Sequence, residues 1–308
     1  MSYVDKDGLQ YFGQEFSDNI DVQIVDSVPV ATTSTAGIMT ATDKSKLELV
    51  DMRPTDAMSI NARVSLHNWL YRGKQLSYTK DEILARISSA SFEDLYPGDY
   101  FTINVTVDNV ATDIDLMICA LDYYYDATNY NTHHLVVCPK GILSEVAMNT
   151  TDTSVGGYLG ASTMLAELSD WQTVFENYFG SVHVLARTAN LSSAITGSFM
   201  DGGSGGNSYQ GASSAITATS NVKLQLMSEI QVFGHEVCGN DYDEQQDNKP
   251  FGCFQSSNGR NNRAVTNKDW WLKTVGSEEG FVYVDSTKEP KIGGASGVKG
   301  VRPFFLIG

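Results

Sequence analysis

Between Met164 and Phe179 seven apolar side chains, Met164, Leu165, Leu168, Trp171, Phe175, Tyr178 and Phe179, recur at three- and four-residue spacing. Such a stripe is buried only along one face of a helix, so it predicts a core helix with Ser162 placed to cap it. A shorter helix is expected after the capping-box pattern Thr79-Lys80-Asp81-Glu82, with Ile83, Leu84 and Ile87 on one face, and Tyr96-Pro97-Gly98-Asp99 supplies a turn after it. Most other apolar material comes in short pieces. Phe101, Ile103, Val105 and Val107 alternate as in a half-buried strand, whereas LMICAL before Asp122 and LVVC after His134 are continuous runs that suit fully buried strands. KLQLMSEIQVFG, EGFVYVDS and GVRPFFLIG read as further strands. Asp201 to Ser220 is rich in Gly, Ser, Ala and Thr without periodicity, and reads as a long surface loop. The pattern is that of an α+β chain with short strands, a few helices and no fixed-period repeat.

The 308 residues exceed one average domain, which points to a main domain with a small extra module. Residues 1 to 30 alternate weakly around Val22, Ile24, Val28 and Val30 and predict an extended arm too poor in apolar residues to fold alone. Residues 31 to 50 hold a short helical signal, with Thr42 as cap, Asp43 in the first turn, and Leu47 and Val50 on one side. A helix this short is marginal in water unless it packs on copies of itself, so this stretch predicts a small symmetric oligomer, a homotrimer by preference. Residues 51 to 308 then form the compact domain.

Lys and Arg number 21 against 37 Asp and Glu, a formal charge of −16, so the molecule as a whole repels polyanions and nucleic acid is not an expected partner. No apolar run approaches the roughly 20 residues of a membrane-spanning helix, and MSYVDKDGLQYFGQEF lacks the basic and apolar regions of a signal peptide, so a soluble chain without membrane insertion is expected. Cys119 and Cys138 sit in apolar runs and are expected to be buried thiols; Cys238 and Cys253 flank a polar loop, and sequence leaves their pairing open. His133-His134 supplies no zinc spacing, because strand neighbours point to opposite faces. The Gly-rich stretches at 202 to 211 and 293 to 300 lack the strand, helix and Lys-Ser or Lys-Thr of a phosphate loop. The Gly-x-Ser-x-Gly pattern at Gly202 to Gly206 falls inside the glycine-rich loop, without the strand-to-helix setting of a nucleophile elbow. The chain is therefore read as no enzyme, with no cofactor.

Charge is unevenly spread. Residues 251 to 308 carry eight basic against five acidic groups, +3, which leaves −19 for the first 250 residues. In this segment Trp270, Trp271 and Phe305 are expected to be core anchors, while loops rich in Asn, Ser and Arg suit recognition. Arg260, Arg263 and Lys268, with Asn258, Asn261 and Asn262 as hydrogen-bonding partners, are the candidate receptor-binding residues, directed at an acidic surface glycan. The alternative is that these cations pair with carboxylates such as Asp269 and Glu278.

In order along the chain, GGYLGAS followed by Met164, then LMSEIQVFG, DWWLKTVG, FVYVDS and GGASGVKGVRPFFLIG resemble a family of phage and prophage proteins. SSASFEDLYPGDYF and HHLVVCP are similar to it too, so the likeness spans most of residues 60 to 308. It implies a C-type-lectin-like fold for the C-terminal domain, and the Asn-rich NGRNNRAVTN suits the final loops that retroelements diversify in some such proteins. ATTSTAGIMTATDKSKLELV is similar to an element common in phage tail and head fibres. The two likenesses together imply a virion fibre or appendage: residues 1 to 50 dock on other virion proteins and gather copies, and the domain faces a host-surface glycan or protein. A purely structural head fibre or decoration protein without a receptor is the alternative. Calcium-dependent sugar binding is not implied, since Glu289-Pro290-Lys291 puts a Lys where such lectins need an amide or carboxylate.

Overall fold

The computed structural model describes residues 67–125, 130–200, 210–239 and 249–308, without side chains at 196–200 and 210–214. The arm at 1 to 30, the element at 31 to 50 and the trimer expected from them lie outside the described residues. The described part is mixed α+β and mostly sheet.

Helix α1 (Lys80–Ser88) is followed by strands β1 (Tyr100–Val107), β2 (Val110–Leu121), β3 (Leu135–Pro139) and β4 (Glu145–Val146), then helix α2 (Ser162–Phe179). After it come β5 (Val184–Leu185), β6 (Arg187–Met200), β7 (Gln210–Val222), β8 (Leu224–Leu226) and helix α3 (Glu229–Phe233). The chain closes with β9 (Trp270–Ser277), β10 (Gly280–Val284), β11 (Pro290–Gly294), β12 (Lys299–Gly300) and β13 (Pro303–Ile307). One sheet runs β1-β2-β3-β13-β5, with β8 sharing the edge of β13 that β5 takes; a second runs β11-β10-β9-β12-β4.

The continuous apolar runs are explained by burial of the first sheet on both faces. Leu135, Val137, Phe305 and Ile307 face a core shared with Ile83 and Ile87 of α1 and Trp171, Phe175 and Phe179 of α2. Their strand neighbours Val136, Cys138, Phe304 and Leu306 face the opposite way, against Trp270, Leu272, Val282 and Val284 of the second sheet. Trp271 and Val275 turn away from that layer and join Met164 and Leu168 of α2, Tyr158, Ala189 and Leu191. Trp270, Trp271 and Phe305 are all fully buried, as core anchors must be.

Thr79 and Glu82 cap α1 reciprocally. In the following turn Gly98 has φ +89°, and a Cβ there would fall 2.1 Å from the ring of Tyr71, so no other residue fits. Asp99 is fully buried; Lys74 and Tyr96 donate backbone N–H groups to its carboxylate at 2.8 and 3.0 Å, and Arg72 Nε reaches both its oxygens at 3.0 Å. This one side chain ties the chain before α1 to the entry of β1.

Three expectations are corrected. Ser162 is the first residue of α2, not its cap: Asn149 Oδ1 accepts its backbone N–H at 2.9 Å, so a distant loop caps the helix. The stretch from Gln210 to Ser220 is strand, the second arm of a β6–β7 hairpin. Its small residues, Gly211, Ala212, Ser213, Ser214, Ala215, Thr217, Ala218 and Thr219, offer none of the apolar and polar alternation that would mark a strand, and the register with β6 shifts between Arg187 and Ala189, Ser192 and Ala194, and Ile195 and Gly197. In KLQLMSEIQVFG only Leu224–Leu226 is strand; Ser228 and Gln231 form a capping box that starts α3. All four cysteines are free and buried; Cys253 lies with Cys119 and Cys138 under Arg302, and Cys238 lies beside Glu229.

Glu229, fully buried at the start of α3, accepts N–H groups from Val237, Cys238 and Gly239 at 3.4, 3.0 and 2.8 Å. Burial outweighs these donors and pushes its carboxyl up to about 7. Below the unfolded carboxyl value both states are protonated; as pH rises from there to 7 the unfolded chain ionises first, so stability falls by about 3 kcal/mol. Thermal melts of wild type and Glu229→Gln between pH 4 and 8 check this: the wild type loses stability relative to the variant across that window, and the difference levels off above it.

Candidate recognition face

The residues singled out for binding cluster around a turn of 3-10 helix at Gly259–Arg263, which sits between the buried Cys253 and Phe254 and the first residue of β9. Gly259 N donates to Ser256 Oγ at 2.8 Å, and Trp270 Nε1 donates to the carbonyl of Arg263 at 2.8 Å, so both ends of the turn are anchored. Beneath it Arg302, buried between the rings of Phe254 and Trp270, donates from Nη1 to the carbonyl of Asn262 at 2.7 Å and from Nε to that of Pro139 at 2.8 Å. The turn is thus carried on a rigid support, which is what a recognition loop requires.

The six predicted residues divide by exposure. Asn258, Arg260 and Asn261 are exposed; Asn262, Arg263 and Lys268 are half-buried and engaged by the protein. Asn262 Nδ2 donates to the carbonyl of Cys253 at 2.9 Å. Arg263 Nη2 donates to the carbonyl of Phe254 at 3.0 Å, its guanidinium stacks over Phe233, and burial, with Arg260 nearby, holds its pKa below the usual arginine value. Lys268 pairs with Glu145 of β4 at 2.6 Å, a carboxylate other than the two weighed from sequence. Asp269 instead receives Lys299 at 3.4 Å and the backbone N–H of Ser286 at 3.1 Å. Arg260 has no ion-pair partner among the described residues, and the residue is exposed.

The turn between β10 and β11 joins this face. Lys288 Nζ donates to Asn261 Oδ1 at 2.8 Å, bringing residues 27 positions apart into one surface. Asp285 shapes that turn by accepting the backbone N–H groups of Thr287 and Glu289, each at 2.9 Å, and the Thr287 hydroxyl at 2.7 Å. Although burial raises it, these donors and Lys291 hold its carboxyl below the usual range. Lys291 Nζ lies 3.7 Å from Asp285, so an ammonium stands beside the one carboxylate of this turn that is partly withdrawn from solvent. Lys288 is not among the six residues expected from sequence; its place on an Asp-x-x-Lys turn beside a strand is the signal that could have found it. Among the described residues no group of three His, Cys, Asp or Glu side chains is arranged to hold a metal ion, and no helix is long and apolar enough to cross a membrane. Compared with known protein families, with curated proteins and with solved structures, the chain finds no match.

Proposed function

We propose that this chain is a bacteriophage virion fibre or appendage protein, and that its α+β domain, of the C-type-lectin-like kind, attaches to an anionic polymer of the host surface through the face around Gly259–Arg263. The observation that carries the reading is Arg260: an exposed cation without an ion-pair partner among the described residues, beside exposed Asn258 and Asn261, on a turn supported by buried Arg302 and Trp270. Its supports in sequence are the ordered motifs, several of which fall on adjoining elements: DWWLKTVG on β9, FVYVDS on β10 and GVRPFFLIG on β12 and β13. An acidic body with a locally basic face discourages indiscriminate polyanion contact while leaving short-range engagement open.

The division of the six residues decides which variant is informative. Arg263→Ala disturbs packing as well as charge, so the clean change is Arg260→Ala with Lys288→Ala. Particles carrying this double variant are expected to assemble normally, keep the melting temperature of the domain, and adsorb to host cells roughly ten- to thirtyfold more weakly at low salt, with the difference shrinking at moderate salt. Unchanged adsorption at both salt concentrations overturns the attachment role and favours a structural decoration protein. The arm and oligomer belong to the same proposal: light scattering is expected to give a trimer for the full chain and a monomer once residues 1 to 50 are removed.

A further inference from the structure

We propose that the cleft between the β2–β3 connection and the base of the β6–β7 hairpin is a binding site for one neutral sugar ring. The cleft encloses about 330 Å³ and is walled by Tyr124, Tyr130, Arg187, Thr188, Ser220 and Asn221, none of which belongs to the face around Arg260. This proposal does not depend on the attachment reading.

The back wall is fixed before any ligand arrives. Tyr124 N donates to His134 Nε2 at 3.2 Å, and the carbonyl of Thr132 lies 2.8 Å from His134 Nδ1, so the imidazole carries its proton on Nδ1 and accepts on Nε2. Burial, with Arg187 nearby, keeps that ring neutral by drawing its pKa down to about 4. The Tyr124 hydroxyl accepts from Arg187 Nη2 at 2.9 Å and Gln231 Nε2 at 3.4 Å, while the guanidinium lies 3.8 Å over the Tyr124 ring and donates from Nη1 to the carbonyl of Thr188 at 2.9 Å. Arg187 thereby builds the wall.

The remaining groups face a ligand. Tyr130 stands edge-on to His134 at 5.3 Å, and its hydroxyl makes no hydrogen bond within the described protein. Thr188, Ser220 and Asn221 are exposed at the rim, and Asn221 is held at φ +60°, a conformation that Asn tolerates and that fixes where its amide emerges. One aromatic ring whose hydroxyl makes no hydrogen bond within the described protein, two aliphatic hydroxyls and one amide suit a small ring with an apolar C–H face and hydroxyls on its edge.

Saturation-transfer NMR on the full-length chain tests this, using the methyl glycosides of glucose, galactose, rhamnose and N-acetylglucosamine at millimolar concentration. At least one is expected to receive transfer, with a Kd on the order of 1 mM. Tyr130→Ala is expected to weaken that sugar about tenfold, and Asn221→Gly, which keeps the backbone conformation, about threefold; Arg260→Ala is expected to leave it unchanged. Circular dichroism identifies a misfolded variant, and Asn221→Gly carries the test should Tyr130→Ala fail to fold. No transfer to any of the four sugars overturns the site, as does transfer undiminished in both cleft variants, or transfer lost in Arg260→Ala.

Discussion

Asp99→Ala is expected to destabilise the domain by about 3 to 5 kcal/mol, a loss on the scale of a large truncation in the apolar core. The carboxylate is fully buried and satisfies two backbone N–H groups and a two-oxygen contact from Arg72 at once. Removing it leaves the amides of Lys74 and Tyr96 without their acceptor, and leaves a guanidinium whose partner has gone. The reverse substitution is milder. Arg72 is one-third exposed, so Arg72→Ala lets water replace part of the lost contact and is expected to cost about 1 to 2 kcal/mol. Urea melts of the two variants check the asymmetry: equal losses would mean that Asp99 acts only as a partner for Arg72, and not as the organiser of the turn from Tyr96 to Asp99.

Trp271→Ala is expected to cost about 3 to 5 kcal/mol and to leave no compensating rearrangement. The indole is fully buried among Met164, Leu168, Val275 and Phe281, and its Nε1 donates to the carbonyl of Val146 at 3.0 Å. The substitution therefore opens a cavity where α2 meets the second sheet and also takes its side-chain donor from the half-buried carbonyl of Val146 in β4. Trp271→Phe restores most of the volume but not the donor, and is expected to recover more than half of the loss. A Trp271→Ala protein of wild-type melting temperature that had lost only ligand binding would show that the indole is a contact residue instead of a core anchor.

What the sequence discloses and what it hides divide by the range of the interactions concerned. The stripe from Met164 to Phe179, the capping box at Thr79 and the continuous runs of β2, β3 and β13 are local patterns written by a helix face or by burial on two faces, and they are legible. Ser162 is of the right type for a cap, but Asn149, thirteen residues upstream, fills that role through the tertiary fold. Ser228 and Gln231 offer a capping box that the apolar character of the flanking residues disguises as strand. The hairpin is hidden because the small residues of its second strand carry no apolar alternation, and Lys268 cannot be matched to Glu145 because 123 residues separate them. At the candidate face, sequence identifies the turn but not which of its polar side chains build it. Asn262 and Arg263 are spent on the carbonyls of Cys253 and Phe254, and only a structure separates them from Arg260 and Asn261.

The position of β13 sets a condition on synthesis. Its residues 303 to 307 lie between β3 on one side and β5 and β8 on the other, so the first sheet has a gap at its centre until they are made. At translation rates of about 5 to 20 residues per second, the roughly 160 residues between β3 and β13 keep β1 to β3 waiting on the order of ten to thirty seconds. During that interval the edge of β3 and the apolar faces of Val136, Val137 and Cys138 have no strand beside them, which is the state most open to pairing with another nascent chain. Closure of the first sheet is therefore a late event, and yield at high expression is expected to be governed by how well that waiting edge is shielded, more than by the stability of the finished domain.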